Sequence, residues 1–465
     1  MNKGTFSKTQ LRSTIWRDKF INRNALANYE QDPTIPLLKH DETFGNKGTL
    51  VLSSAGHPLT IASSIVPTAK DSFWVTAYEE ASSAADTPNY AAVARITADG
   101  KLDLSFGPEK NGFGQINFDD AHYTRLRSSH ETSDGGLIVV GDLISLGGAR
   151  FNKPMITRLL PSGIKDSSYG TQGVVDVREV INEIRTHVRA VPAIEYAVQA
   201  DGGIFILASV QRQRGKLTKQ DAFLFHITKE GSADLKFHGY GYVMFRKDGR
   251  SVDPIDIDVD TDSGRVLITC QYESVNMEII PYLTCLTNEG ELAQFGDSGY
   301  LDLSNDFETI NSCTFSQDNS HIVVCGQQYS ADYATAYAAL ANYKENGSPE
   351  IIFNYGDPVF VSLSENNNLS VFMSGQQLAA PLHTTTVRGE YGHSSDYKFH
   401  PVMARFLSNG LPDPSFGGER GIAAPHSGEL FSYEKSSFTT NASGTLLIVG
   451  GSRGKASIFA YKDKF

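Results

Sequence analysis

The chain has 465 residues, 40% of them apolar and 20% charged, the balance of an ordered globular protein rather than a disordered one. Its net charge is −12, which repels phosphate backbones and speaks against nucleic-acid binding. No run has the length and apolarity of a membrane-spanning helix. The N-terminus also lacks the apolar stretch of a cleaved signal peptide, so the compartment is cytoplasmic by default, or reached by a route without a cleaved signal.

Residues 1–40 make a basic N-terminal arm, with seven Lys or Arg against three Asp or Glu. Leu11, Ile15, Trp16 and Phe20 sit among the cations at a spacing that predicts a short amphipathic helix. The arm is read as a tail packed against the acidic remainder, in preference to a docking or targeting element. Asp32-Pro33-Thr34-Ile35-Pro36 predicts an extended connector.

From Asp41 to the C-terminus one short corner returns about every sixty residues. Its clearest copies are Leu102-Asp103-Leu104-Ser105-Phe106-Gly107 and Leu411-Pro412-Asp413-Pro414-Ser415-Phe416-Gly417. The aromatic-plus-glycine step is also read at Phe44-Gly45, Tyr169-Gly170, Phe295-Gly296 and Tyr355-Gly356, with Phe237-His238 as a degenerate copy. A fixed period of this size signals stacked supersecondary units. The aspartates Asp41, Asp103, Asp166, Asp234 and Asp413 suit a turn, accepting hydrogen bonds from amides just downstream. The aromatic offers its ring to a neighbouring unit. One aspartate per copy is too few ligands for a repeated calcium site.

Between corners the same elements recur. A short strand such as Gly173–Val177 leads to a more polar strand and an Asp-Gly turn. An apolar run such as Leu137–Gly141 follows, and then a closing strand such as Met155–Leu159. Four short strands per repeat predict an all-β chain. The expected fold is a seven-bladed β-propeller of four-stranded blades over residues 41–465. Thr49–Leu52 would pair as the outer edge of the last blade beside Ser457–Tyr461, closing the ring by its N- and C-terminal strands.

Three units depart from the pattern. The third carries extra residues, Arg178–Arg189, in which Val180, Ile184 and His187 share one helical face and predict a surface helix. In the fourth, Asp256, Asp258, Asp260 and Asp262 alternate with other residues. The positions of its glycine and of Thr269 do not fit an EF-hand loop, so a strand with one polar face is expected. The sixth contains Gln376–Lys398, read as a long interruption between strands. It holds His383, Arg388, Tyr391, His393 and Tyr397, the candidate binding residues. Their histidine spacing matches no familiar metal site.

Cys270, Cys285, Cys313 and Cys325 are expected as reduced, half-buried core residues. Midpoint counting places Cys270 across from Cys285, and Cys313 across from Cys325, where direct opposition suits a disulfide poorly. There is no Gly-x-Ser-x-Gly elbow, phosphate loop, Cys-x-x-Cys or His-Glu-x-x-His, so no catalytic residue, metal or cofactor is expected.

The Leu-Asp-x-Ser-Phe-Gly corner, the Asp-Gly-Gly-apolar run and the sixty-residue period together resemble the delta-60 repeat of bacterial β-propellers. The resemblance spans Asp41 to the C-terminus and implies a fold without implying an activity. The functional expectation is a non-enzymatic binding or assembly scaffold that meets a protein partner through its loops. The alternatives are a carbohydrate-binding propeller, disfavoured by only two tryptophans, and a hydrolase or lyase with an axial pocket.

Overall fold

The computed structural model describes residues 32–462 except 55–58, 69–71, 81–88, 120–121, 145–151, 185–193, 215–216, 248, 277, 380–381, 394–398, 433 and 442–443. The amphipathic helix expected near Leu11–Phe20, together with His187 and Tyr397, lies outside the described residues.

Strand β1 (Thr49–Val51) comes first. β2 (Ile61–Pro67), β3 (Ser72–Tyr78), β4 (Ala91–Thr97) and β5 (Phe113–Gln115) follow as one antiparallel sheet. β6 (Tyr123–Glu131), β7 (Leu137–Ile144), β8 (Asn152–Leu159) and β9 (Val174–Asp176) make the next. After helix α1 (Val177–Ile184) come the sheet of β10 (Ile194–Val198), β11 (Ile204–Arg214), β12 (Leu217–Ile227) and β13 (Tyr242–Phe245), then that of β14 (Val252–Val259), β15 (Val266–Glu273), β16 (Ile279–Leu286) and β17 (Tyr300–Asp302).

β18 (Thr309–Phe315), β19 (His321–Tyr329), β20 (Ala336–Lys344) and β21 (Val359–Val361) pair in the same order. So do β22 (Leu369–Gln377), β23 (Thr385–Gly392), β24 (Phe399–Phe406) and β25 (Ile422–Ala423). A single parallel pair, Ala336↔Leu369, joins these two arrays. The last sheet holds β26 (Glu429–Phe431), β27 (Phe438–Thr440), β28 (Leu446–Ser452) and β29 (Lys455–Tyr461), with β1 antiparallel along β29 and Leu50 opposite Ile458. The fold is all-β and propeller-like, built of four-stranded sheets. Among the described residues no helix is long and apolar enough to cross a membrane.

Neighbouring sheets share cores, which is why their strands read as apolar runs without clean alternation. Ile65, Phe73 and Val75 pack with Val449, Ile458 and Ala460 of the last sheet. The corner explains the period. Phe44, Phe106, Tyr169, Phe237, Phe295 and Phe416 are all buried, and the amide that follows the aromatic often donates to the next sheet's turn. Gly45 N reaches Asp99 O at 2.9 Å, Gly107 N reaches Ser162 O at 3.1 Å and Gly170 N reaches Glu230 O at 2.9 Å.

The sixth copy is displaced from its sequence reading. The buried ring there is Phe353, and Asn354 N makes the equivalent bond to Asn409 O at 3.0 Å, whereas Tyr355 is 91% exposed. Aromatic-plus-glycine was the wrong landmark at this corner, because Asn354 takes the glycine's place with φ +47°.

Corner carboxylates bind as turn residues should. Asp103 Oδ1 accepts from Ser105 N at 3.0 Å and Asp413 Oδ1 from Ser415 N at 2.9 Å. Glu350 stands in at the sixth corner, accepting from Ile352 N at 3.0 Å.

Other expectations resolve as follows. α1 forms in the third unit, but its buried face is Val177, Val180 and Ile181. Asp256 and Asp258 lie on strand β14, as expected of a strand with a polar face. The four cysteines are free and fully buried rather than half-buried. Cys285 faces Leu267 and Cys325 faces Ser312 across their hairpins, so the counted pairings are offset. Asp32–Pro36 is a turn closed by Ile35 N to Asp32 O at 3.1 Å, not an extended connector. Beyond it Leu38, fully buried, donates to Ala424 O at 2.8 Å and ties the end of the arm to β25.

A Cβ on Gly163 would lie 2.8 Å from the Phe106 ring at φ +84°. Gly163→Ala should cost about 2–4 kcal/mol in denaturant unfolding, from left-handed strain plus overpacking. Gly454→Ala, at φ +72° with nothing within 4 Å, should cost only the strain, about 1 kcal/mol.

Candidate functional site where the first strands converge

The first strand of most sheets carries a bulge at one position. Pairing slips between Ala62 and Ser64, Leu126 and Ser128, Pro254 and Asp256, Ile310 and Ser312, and Phe372 and Ser374. A bulge turns one side chain away from its strand's alternation. Here the bulged residues include Arg127 and Asn311, and both reach a neighbouring sheet. Arg127 Nη2 lies 3.4 Å from Glu195 Oε2, and Asn311 Nδ2 donates to Phe372 O at 3.0 Å.

In the last sheet the first strand is split. Ser432–Ser437 leaves between β26 and β27 and crosses to strands far along the chain. Ser432 Oγ donates to Ser63 O at 2.8 Å, and Ser436 O accepts from Ile65 N at 2.8 Å. Glu434 Oε2 lies 3.6 Å from Arg127 Nε on β6. Lys435 Nζ lies 2.9 Å from Asp256 Oδ2 and donates to Cys313 O at 2.7 Å and Ile257 O at 3.2 Å. One hexapeptide therefore touches β2, β6, β14 and β18.

The carboxylates of β14 extend the network outward. Asp256 Oδ2 accepts from Cys313 N at 2.8 Å, and Asp258 Oδ2 accepts from Phe315 N and Thr314 Oγ1, each at 2.8 Å. Burial pushes the Asp256 carboxyl up to about 6 against the opposing pull of Lys435. Burial likewise drives the His130 imidazole down to about 4, so it is neutral at pH 7. Lys435 is held above its usual range, its desolvation outweighed by Asp256 and Asp258. Displaced acidities of this kind accompany catalysis and structural ion pairs alike. Asp256 is 5% exposed and its Oδ2 is shared between a lysine and an amide, so the contacts shown are those of a fastener. The cysteines are no nucleophiles either, since burial pushes Cys270 and Cys325 up to about 12.

The residues singled out in the sequence do not meet here. Gln376–Lys398 is not an interruption, because Thr385–Gly392 within it is β23, buried along its whole length. Its polar residues hid the strand: Arg388 and Glu390 pair at 2.9 Å, each 1% exposed. Tyr391 is also buried, and its hydroxyl accepts from Asp32 N at 3.1 Å. His383 precedes β23, its ring 5.2 Å from that of His321, while His393 follows the strand's far end. Sequence reading missed Glu434 and Lys435. The signal available was the last unit's extra polar stretch, Ser432–Ser437, where the others run straight into a strand.

Two polar clefts lie at equivalent places between sheets. One, of about 310 Å³, is lined by Asp134, Arg158, Asp166 and Asp201. The other, of about 560 Å³, is lined by Asp260, Asp318, His321 and Glu350. In the second, Ser320 Oγ lies 2.7 Å from His321 Nδ1, and His321 Nε2 lies 3.1 Å from Glu350 Oε2. Ser320 Oγ also gives its proton to Asp318 Oδ1 at 2.6 Å. The ring must then donate to the serine rather than take its proton, the opposite of an activated nucleophile.

The family described as "Domain of unknown function (DUF5122) beta-propeller" matches residues 81–106. No curated protein matches the chain in sequence. Among solved structures, the chain is similar to the β-propeller domain of the trilobed protease from Pyrococcus furiosus, titled as having an open velcro topology. That match has 8% identity, 87% of this chain and 95% of that one covered, and a TM-score of 0.42. A protein of unknown function from Dyadobacter fermentans matches at 8% identity over 78% of this chain and 96% of that one, with a TM-score of 0.39. The Hadza microbial sialidase Hz136 matches at 9% identity over 84% and 76%, with a TM-score of 0.36.

Lys435→Met strands the Asp256 carboxylate. It should lower stability by about 1–3 kcal/mol, less than for a fully buried pair because the lysine side chain stays 35% exposed. Adding Asp256→Asn should restore part of the loss in a double-mutant cycle; strict additivity would show that the two do not interact.

Proposed function

We propose that the chain is a closed ring of seven four-stranded units of the delta-60 type, acting as a non-enzymatic binding or assembly scaffold for a protein partner. Closure is supported by β1 completing the last sheet and by the core that the first and last sheets share. The observation that carries the scaffold reading is the Ser432–Ser437 segment. It crosses the place where the first strands meet, and the charged side chains of Glu434 and Lys435 are spent on ties between sheets. A carbohydrate-binding reading has the polar clefts in its favour. The ring lining the first of them, Tyr169, is 1% exposed, however, and offers no stacking face. Contacts would then come from loops at the two ends of the strands, where His383 and His393 lie, with Tyr397 as a further candidate.

The test is affinity capture on the immobilised full chain, followed by titration calorimetry with the purified captured protein. The expected result is a saturable complex weakened at least tenfold by His383→Ala or His393→Ala, with no turnover in hydrolase and lyase screens. A turnover abolished by substitution near Asp256, or selective retention on a glycan array, would replace the scaffold with one of its alternatives.

A further inference from the structure

On the rim of the sheet β18–β21, four large apolar side chains are exposed within one short stretch. Ile351 is 68%, Ile352 69%, Tyr355 91% and Phe360 46% exposed. Apolar surface gathered in this way marks a contact site. Phe360 lies on β21, an edge strand whose pairing partner is β20 alone among the described residues. Acidic groups crowd the same rim. The Asp306 carboxyl is raised by burial and then by repulsion from Asp357 and Asp302.

The described chain begins beyond the opposite end of β21 from the corner that holds Ile351, Ile352 and Tyr355. Asp32 Oδ2 accepts from Ser364 Oγ at 2.6 Å, and Ser364 follows β21 by a few residues. The chain before Asp32 carries Lys3, Lys8, Arg12, Arg17, Lys19 and Arg23 against Asp18 and Glu30, and its apolar residues include Phe6, Leu11, Ile15, Trp16 and Phe20. Thirty-one residues span up to about 100 Å when extended, so reach is no constraint. A cationic segment with large apolar anchors complements an apolar rim edged by carboxylates.

We propose that residues 1–31 dock in cis on the rim formed by Ile351, Ile352, Tyr355 and Phe360, with their cations facing Asp302, Asp306 and Asp357. The inference is independent of the scaffold reading. It implies that any partner of this rim competes with the chain's own arm.

Zero-length carbodiimide cross-linking of the dilute full chain, read by peptide mass spectrometry, tests it. Lys3, Lys8 or Lys19 should join to Asp302, Asp306 or Asp357. In a mixture of isotopically light and heavy chains, every such link should lie within one isotope. Ile352→Ser with Tyr355→Ser, both at exposed positions, should cut the yield at least fivefold while leaving the melting temperature unchanged. Absence of these links, links mainly to other carboxylates, or a yield unchanged in the variant would overturn the proposal. Mixed-isotope links would overturn it in favour of a second copy of the chain.

Discussion

The structure depends on one contact between successive sheets. A corner buries its aromatic ring and points the next amide at the following sheet's turn, whose glycine sits against that corner. A Cβ on Gly100 would meet the Phe44 ring at 2.8 Å, one on Gly290 the Phe237 ring at 2.9 Å and one on Gly347 the Phe295 ring at 3.0 Å. Each contact joins residues 52 to 56 apart, one repeat less the few residues between the turn glycine and the next corner aromatic, so it recurs with the sequence period. The glycine of one repeat and the aromatic of the previous one are therefore halves of a single joint. That is why the motif persists where the strands between the corners vary freely.

Electrostatics follow the same joint. The residue of the third strand whose carbonyl binds the corner amide is Arg95, Arg158, His226 or Arg405 where the corner acid is Asp103, Asp166, Asp234 or Asp413. At the corner of Ala293 there is no acid, and the matching position is the neutral Cys285. Glu350 finds the neutral Asn342 there and takes His321 from β19 instead, at 3.1 Å. The Ser320–His321–Glu350 alignment thus includes the basic partner of the sixth corner's acid. At the corners of Asp103, Asp166, Asp234 and Asp413 a basic residue accompanies the acid, as a half-buried charge requires. Asp41, whose amide donates to Ala460 O, is the exception and accepts from the Thr445 hydroxyl at 3.0 Å instead.

Legibility tracked how far apart the cooperating residues are. The period, the strand order, α1 and the pairing of Thr49–Val51 with β29 could be read because they rest on local patterns repeated many times. β23 was lost because its threonines and the internal Arg388–Glu390 pair erase hydrophobic periodicity. The sixth corner was misplaced because Asn354 does a glycine's work. The Lys435–Asp256 tie was beyond reach. Nothing local marks Asp256 as the partner of a lysine so distant in the chain, and its strand bulge appears in the sequence only as an apolar residue followed by an acid where other first strands have serine, as at Ser128, Ser312 and Ser374.

Acid response separates the roles of the two kinds of carboxylate. Burial alone would raise Asp413, but the hydroxyl and amide of Ser415 and then Arg405 bring it below its ordinary value. Asp103 is lowered first by the Ser105 hydroxyl. Groups depressed in the folded state stabilise it above their unfolded pKa of about 4, and that stability drains away as pH falls through the native values. Asp256, raised by burial, has the opposite sign: its ionisation costs stability as pH rises from about 4 toward 6. Asp413→Asn should therefore cost about 2 kcal/mol at pH 7, a deficit that closes below pH 4 when urea unfolding is followed against pH. A deficit that stayed constant down to pH 2 would mean that the corner holds by shape rather than by charge.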